Sequence, residues 1–196
     1  MAAIIGNSSA LNAVVSSSTA MTAVAKSYVA VAAIWKNNTA VQKVQANSTA
    51  WATFTGASSA VMGKAVATLA GLNPASYADM AAVAASSTAM AAVGNSQTAL
   101  NAIAASTTAL NALYSKKKRM SGGSKSLSGK FIILEISADN VFSTSEYGYA
   151  TLSDGSKPDW KNYKGKYAYF KQYKKVVTYM KNDTDSDDWI DYFQIA

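Results

Sequence analysis

The side chains that most often perform chemistry in proteins are scarce in this chain. Its 196 residues include neither cysteine nor histidine. Serine–histidine and cysteine–histidine nucleophile pairs, thiolate metal sites and imidazole metal ligands are therefore excluded. A glycosidase would need two carboxylates such as Glu135 and Glu146, but Glu135 lies in an apolar run and nothing brings the two together. We predict that the protein is not an enzyme and has no cofactor.

An acidic segment near residue 185 has spacing that suggests a cation site. Its alternating carboxylates resemble the opening of a calcium loop, where several oxygens surround a hard cation. The loop's sixth position, however, is Asp188 where glycine is needed, and the twelfth is Gln194 where glutamate is needed. We interpret the segment as an acidic hairpin loop, with weak metal-ligand candidates at Asp183, Asp185 and Asp187.

Aromatic residues alternate with lysines between Asp159 and Tyr173. Exposed rings of this kind can stack on sugar faces while neighbouring polar groups bind hydroxyls. The alternative is that the rings form the core of a small domain or a seam between chains. Because the interleaved lysines need a solvated face, we predict that some of these rings bind a ligand: Trp160, Tyr163, Tyr167 and Tyr173.

A basic tract, Lys116-Lys-Lys-Arg119, is a third candidate. It could neutralise phosphates of a nucleic acid or attract an anionic polymer of the cell surface. The net charge is only +3 in residues 1–115 and +4 in residues 116–196, so neither part is strongly basic. We therefore expect no nucleic-acid partner and interpret the tract as part of a solvated hinge.

The elements that would position these residues begin with a decapeptide repeat. Alanine recurs every ten residues from Ala10 to Ala70, and the phrase Ser-Thr-Ala-Met or a close variant surrounds most of these positions. The repeat resumes after a one-residue slip at Ala89. Repeats of this length predict an array of small units that pack mainly on their neighbours. Such arrays form rods and scaffolds more readily than enzyme pockets.

Each repeat has the signals of a short helix. Ser, Thr or Asn opens the unit and can accept hydrogen bonds from its first amides. Asn or Gly before the next serine, as at Asn47 and Gly94-Asn95, predicts closure of the helix in the left-handed conformation. One continuous helix is the alternative, but the charged flanking positions of a soluble coiled coil are missing. We predict short helices of about two turns that follow a superhelix.

The repeats also carry a narrow apolar stripe, because their apolar residues lie three positions apart. Helices this short are marginal alone and must bury the stripe against neighbouring units or other chains. Residues 1–115 have only four lysines and one aspartate, which favours other chains. We predict that oligomerisation involves Met90, Val93, Leu100, Ile103, Leu110 and Leu113.

The sequence changes character after Tyr114. Residues 116–129 are basic and rich in Gly and Ser, which predicts a hinge. Residues 130–196 contain five strand-like runs: 131–136, 147–152, 166–170, 176–180 and 189–195. The predicted class is thus α+β, with a superhelical, oligomeric repeat stalk over 1–115 and a small antiparallel β tip over 130–196.

The repeat resembles those of tail-fibre and related virion fibre proteins of bacteriophages. The likeness is carried by Ala85-Ser-Ser-Thr-Ala-Met90 and Asn111-Ala-Leu and covers residues 7–114, whereas the tip matches no motif. It implies a homotrimer, an amino-terminal part attached to the virion and a distal domain that meets the host surface.

We therefore expect a structural fibre of the tail or capsid, assembled in the host cytoplasm and located on the virion. Its expected partners are itself, other virion proteins and a host-surface glycan or protein. Membrane insertion is not expected, because there is no apolar run of about 20 residues and no basic, apolar leader. The alternatives are a decoration or connecting protein whose tip docks another virion protein, a cellular adhesin and a carbohydrate-active enzyme.

Overall fold

A computed structural model describes residues 1–138, 148–160, 164–183 and 188–195. The chain divides into two compact units, Met1–Ala112 and Leu113–Ala196. The described part of the first unit is helical, and the second contains a six-stranded antiparallel sheet. The predicted combination of a helical repeat region with an antiparallel β region is confirmed.

The repeat forms a series of short helices. They are α1 (Ala2–Ile5), α2 (Ser8–Ser16), α3 (Ser18–Ala25), α4 (Tyr28–Trp35), α5 (Asn38–Gln45), α6 (Ser48–Thr55), α7 (Ser59–Leu69), α8 (Met80–Ala85), α9 (Ser87–Gly94), α10 (Gln97–Ala105) and α11 (Thr107–Tyr114). A 3-10 turn, Pro74–Ser76, lies between α7 and α8.

Side-chain caps start helices α2 to α10, as predicted. The capping oxygen accepts a hydrogen bond from the amide three residues later, at 3.0 Å for Asn7 and 3.2 Å for Ser17. In most repeats that amide belongs to the recurring alanine, which explains why the capping residue and the alanine are three positions apart there. The capping residues of α2 to α10 are Asn7, Ser17, Ser27, Asn37, Asn47, Ser58, Asp79, Ser86 and Ser96.

The left-handed closure predicted at Asn47 and at Gly94-Asn95 is wrong. Asn47 is extended, with φ of −110°, and caps the following helix, while Asn95 keeps a right-handed conformation with φ of −90°. Ser17 closes α2 and also caps α3. One extended residue is therefore enough to end a helix, redirect the chain and begin the next helix.

Helices three apart in the chain pack on one another. α2 contacts α5, α3 contacts α6, α4 contacts α7, and α7 contacts α10. Cap side chains strengthen these contacts: Asn47 Nδ2 donates to the Val15 carbonyl at 3.4 Å, and Ser96 Oγ donates to the Leu69 carbonyl at 2.9 Å. Each of these caps thus also satisfies a carbonyl at the end of an earlier helix, a group that has no partner within its own helix.

The apolar stripe is buried within the single chain. Side chains at the predicted oligomerisation positions are 4% exposed or less: Met90, Val93, Leu100, Ile103, Leu110 and Leu113. The expectation that other chains would cover these residues is not met. Packing between helices of one chain already removes the stripe from water.

The repeat is interrupted where α7 meets α8. A Cβ atom placed on Gly63 would lie 2.2 Å from the Asp79 carbonyl carbon, so only glycine lets the backbones approach this closely. The Met80 amide donates to Ser59 Oγ at 3.2 Å across the same contact. Gly63 and Ser59 therefore hold α7 close to the start of α8.

The second unit contains strands β1 (Lys118–Ser121), β2 (Lys125–Ala138), β3 (Tyr149–Leu152), β4 (Gly165–Tyr167), β5 (Val177–Asn182) and β6 (Trp189–Gln194), with helix α12 (Tyr169–Tyr173). The strand order is β1-β6-β2-β5-β3, and β4 also pairs with β2. The hydrophobic core covers one side of the sheet, with Ile133, Met180 and Ile190 at its centre.

Two features of the predicted tip differ from the structure. The segment predicted as a hinge, 116–129, contains all of β1 and the start of β2. On β1, Lys118, Arg119 and Ser121 are exposed and Met120 alone is buried, so the dense charge concealed the strand. In addition, the predicted strand over 166–170 ends at Tyr167, and Tyr169 begins α12.

Candidate functional site

The aromatic residues predicted to bind a ligand lie around a buried tyrosine. Tyr169 is 1% exposed, and its ring is 6.1 Å from that of Trp160, 6.3 Å from Tyr167 and 4.5 Å from Tyr173. Trp160 is fully buried, and the other two are partly buried against the core. Three of the four predicted rings therefore pack in or against the core, which is the alternative considered above. Tyr163 lies outside the described residues.

The predicted metal-ligand candidates are not brought together in the described residues. Asp183 Oδ2 accepts from Lys181 Nζ at 2.7 Å, and this bond lowers the pKa of Asp183. Asp185 and Asp187 lie outside the described residues. Within the described ranges, no three acidic side chains form a cluster suited to a metal ion.

Several charged and polar side chains lie on the second face of the sheet, the side opposite the core around Ile133, although the same face also carries the buried Ile132 and Phe193. Because strand side chains alternate between faces, the register places Arg119, Asp191 and Glu135 in one row of this face. Trp189, Ser137 and Lys166 form the next row. The far end of the face carries a separate row of Tyr149, Lys181 and Ser126.

The first group on this face is the Trp189 cluster, formed by Lys117, Arg119, Lys166, Trp189 and Asp191. The Arg119 guanidinium lies 3.8 Å from the indole centroid, and the ammonium groups of Lys117 and Lys166 lie 6.0 and 5.7 Å away. Arg119 Nε donates to Asp191 Oδ1 at 2.7 Å and Nη2 donates to Oδ2 at 2.9 Å, while Lys117 also donates to Oδ2. Two residues of the basic tract, Lys117 and Arg119, are thus held in place by a carboxylate and an aromatic ring.

Electrostatics in the Trp189 cluster keep its charges fixed. Burial by itself raises the pKa of Asp191, but hydrogen bonds from Arg119 and Lys117 hold that pKa below its ordinary value. The same hydrogen bond raises the pKa of Arg119. Burial, with the nearby Glu135 and Asp191 carboxylates, raises the pKa of Tyr114 to about 12. These groups therefore keep their charge states throughout the neutral pH range. The cluster is better suited to stabilising the structure than to acting as a general acid or base.

The second group is the tyrosine cluster, formed by Tyr149, Tyr179, Lys181 and Asp183. Tyr149 and Tyr179 are diagonal neighbours on β3 and β5, with ring centroids 5.7 Å apart and planes tilted by 38°. Both rings are partly exposed, as are Lys181 and Asp183 at 35% and 30%. The hydrogen bond to Asp183 raises the pKa of Lys181, to which both tyrosines also contribute. The cluster therefore combines apolar rings with a fixed donor–acceptor pair at the surface.

Neither cluster was singled out from the sequence. Arg119 and Asp191 are 72 residues apart, and Tyr149 and Tyr179 belong to different predicted strands. Alternation within the run 147–152 carried a usable signal, because it placed its tyrosines on one face and Ala150 and Leu152 on the other. Only strand pairing shows which tyrosines meet.

Comparison with known proteins gives no further assignment. No protein-family profile matches the chain, and no curated protein sequence is similar to it. In the described part of the chain, the helices are too short or too polar to traverse a lipid bilayer.

Proposed function

We propose that the chain is a structural fibre protein of a bacteriophage virion, without enzymatic activity. The observation that supports this most is the repeat unit itself, in which capped helices pack on helices three positions away. Such stacking can be lengthened by adding further repeats, as expected of a superhelical stalk. It does not require a catalytic pocket. The likeness of its phrases to phage fibre repeats supplies the virion context.

The second unit is the proposed contact region for the host surface. It is a compact β unit with its own core, so it can present side chains without disturbing the repeats. A second candidate is a decoration or connecting protein, in which the same unit docks another virion protein. The Trp189 cluster favours that candidate over nucleic-acid binding for two reasons. Asp191 already neutralises one of the two cations Lys117 and Arg119. In addition, tryptophan and arginine are common in protein interfaces.

Self-association is part of the proposal, at a surface that includes none of the six predicted oligomerisation residues. The recurring alanines are buried where an earlier helix covers them, as at Ala40 (0%) and Ala50 (3%), but Ala20 is partly exposed. A groove of about 420 Å³ begins there, lined by uncharged residues that include Val14, Val24 and Val29. Val29 is 57% exposed. A second or third copy of the chain can cover this groove, and a homotrimer is the expected assembly.

Two measurements test the proposal. Antibodies raised against the full chain should label particles of the phage that encodes it, at one fixed structural location seen by electron microscopy. Light scattering of the purified chain should give three times the mass of one chain. Absence of label from intact particles would refute the virion assignment, and a monomeric mass at micromolar concentration would refute self-association.

A further inference from the structure

We propose that the tyrosine cluster binds a neutral pyranose sugar. The inference rests on the proposed function in that it names the class of surface molecule that the second unit would recognise. It is carried by three side chains whose positions are fixed by the register of β3 and β5, Tyr149, Tyr179 and Lys181, and by Asp183 just after β5. Its test is independent of whether the chain is found on a virion.

The two rings supply the apolar part of the site. Tyr149 and Tyr179 are tilted by only 38° at a centroid distance of 5.7 Å, so their partly exposed surfaces are adjacent. A pyranose ring presents its C–H bonds on one face, and this face packs on an aromatic ring with its hydroxyls directed outward. Tyrosine also provides a hydroxyl group at the edge of the contact and orders only two side-chain torsions.

The charged pair supplies the polar part. Lys181 lies directly opposite Tyr149 on the neighbouring strand, and its ammonium donates to Asp183 at 2.7 Å. An ammonium group can donate to one sugar hydroxyl while the carboxylate beside it accepts from the adjacent hydroxyl. Exposed hydroxyls of Ser126 and Ser128 stand opposite Lys181 and Tyr179 on β2 and extend this polar surface.

Charge selects among sugars. The positive charge of Lys181 and the negative charge of Asp183 cancel, so the tyrosine cluster has no net charge to attract an acidic sugar. The Trp189 cluster, by contrast, has three cations and one carboxylate. Neutral hexoses and N-acetylhexosamines are therefore the expected ligands of the tyrosine cluster.

The test uses saturation-transfer NMR of the full chain with the methyl glycosides of glucose, galactose, mannose and N-acetylglucosamine, and with methyl glucuronide. We expect transfer to at least one neutral glycoside and at least tenfold weaker binding by Tyr179→Ala. Lys181→Met keeps both rings on the sheet and should weaken binding by a similar factor. Tyr28→Ala is the matched control, because Tyr28 also lies near a lysine, with Lys64 Nζ 6.0 Å from its ring centroid, but in the other unit.

Several results would overturn the inference: no transfer to any neutral glycoside, unchanged binding by Lys181→Met, or an equal loss in the Tyr28→Ala control. Stronger binding of methyl glucuronide than of the neutral glycosides would also overturn it. Sugar binding by a chain that is absent from virions would refute the proposed function and leave this site intact. Labelled virions whose isolated chain binds no sugar would refute this site alone.

Discussion

The dual role of Ser96 leads to a quantitative prediction about the repeat. Its hydroxyl oxygen accepts from the Ala99 amide at 3.2 Å, which caps α10, and donates to the Leu69 carbonyl at the end of α7 at 2.9 Å. Removing a serine cap costs about 1 kcal/mol, and losing a hydrogen bond to a partly buried carbonyl costs about 1 kcal/mol more. Ser96→Ala should therefore lower the free energy of unfolding by about 2 kcal/mol.

The matched control is Ser17→Ala. Within the described residues, Ser17 Oγ caps α3 with a 3.2 Å bond from the Ala20 amide and makes no hydrogen bond to another helix. That change should cost about 1 kcal/mol. For a chain of this length, each kcal/mol shifts the melting temperature by about 2–4 °C. Circular dichroism at a helical wavelength should thus show a fall of about 4–8 °C for Ser96→Ala and half of that for Ser17→Ala.

The conservative variant Ser96→Thr keeps a hydroxyl group that can make both bonds, so its melting temperature should stay close to that of the parent chain. Equal effects of the two alanine substitutions would refute the claim that caps also stabilise packing between helices. A larger loss for Ser17→Ala than for Ser96→Ala would refute the same claim.

Three further changes test other parts of the structure. Asp191→Asn should lower the free energy of unfolding in urea by about 2 kcal/mol, less than the loss of a fully buried ion pair, because its cationic partners are partly exposed. Since the folded pKa of Asp191 is lowered, its stabilisation is full above the ordinary value of 3.8 and is lost as the pH falls below it; the variant should lose this acid dependence. Gly63→Ala should cost about 1–3 kcal/mol of stability by overpacking, whereas Gly6→Ala, whose added Cβ meets its nearest atom at 3.6 Å, should cost little. Val29→Lys should lower the mass measured by light scattering, while Gln45→Lys, also exposed, should leave it unchanged.

Each of these expectations has an opposing result. An unchanged acid profile for the asparagine variant would mean that the Asp191 pair contributes nothing to folding. Equal stability of the two glycine variants would contradict the close approach of α7 and α8. If Val29→Lys leaves the mass unchanged, the chains do not associate through the groove.

The sequence determined the local structure of the repeat. The cap residues, the recurring alanine and the apolar pairs are all local signals, because a helix start needs only a side-chain acceptor within its first turn. They correctly predicted short helices over one continuous helix. The closing conformation was predicted wrongly at both asparagines: Asn47 serves as the start of α6, and Asn95 ends α9 in a right-handed conformation while Ser96 caps α10.

The tertiary structure decided what covers the stripe and which polar residues meet. Whether Met90 is buried by its own chain or by another depends on the angle between successive helices. The repeated sequence does not predict that angle. Similarly, the lysine-rich segment after Tyr114 became an edge strand because Met120 packs inward and Asp191, far along the chain, binds Arg119. The tyrosine cluster arises from the register of β3 and β5, which long-range backbone hydrogen bonds establish. The signals in composition and spacing act within a few residues, so the sequence predicted the helices and strands. Strand pairing and side-chain packing join residues dozens of positions apart, so the sequence did not predict the surface that these elements form.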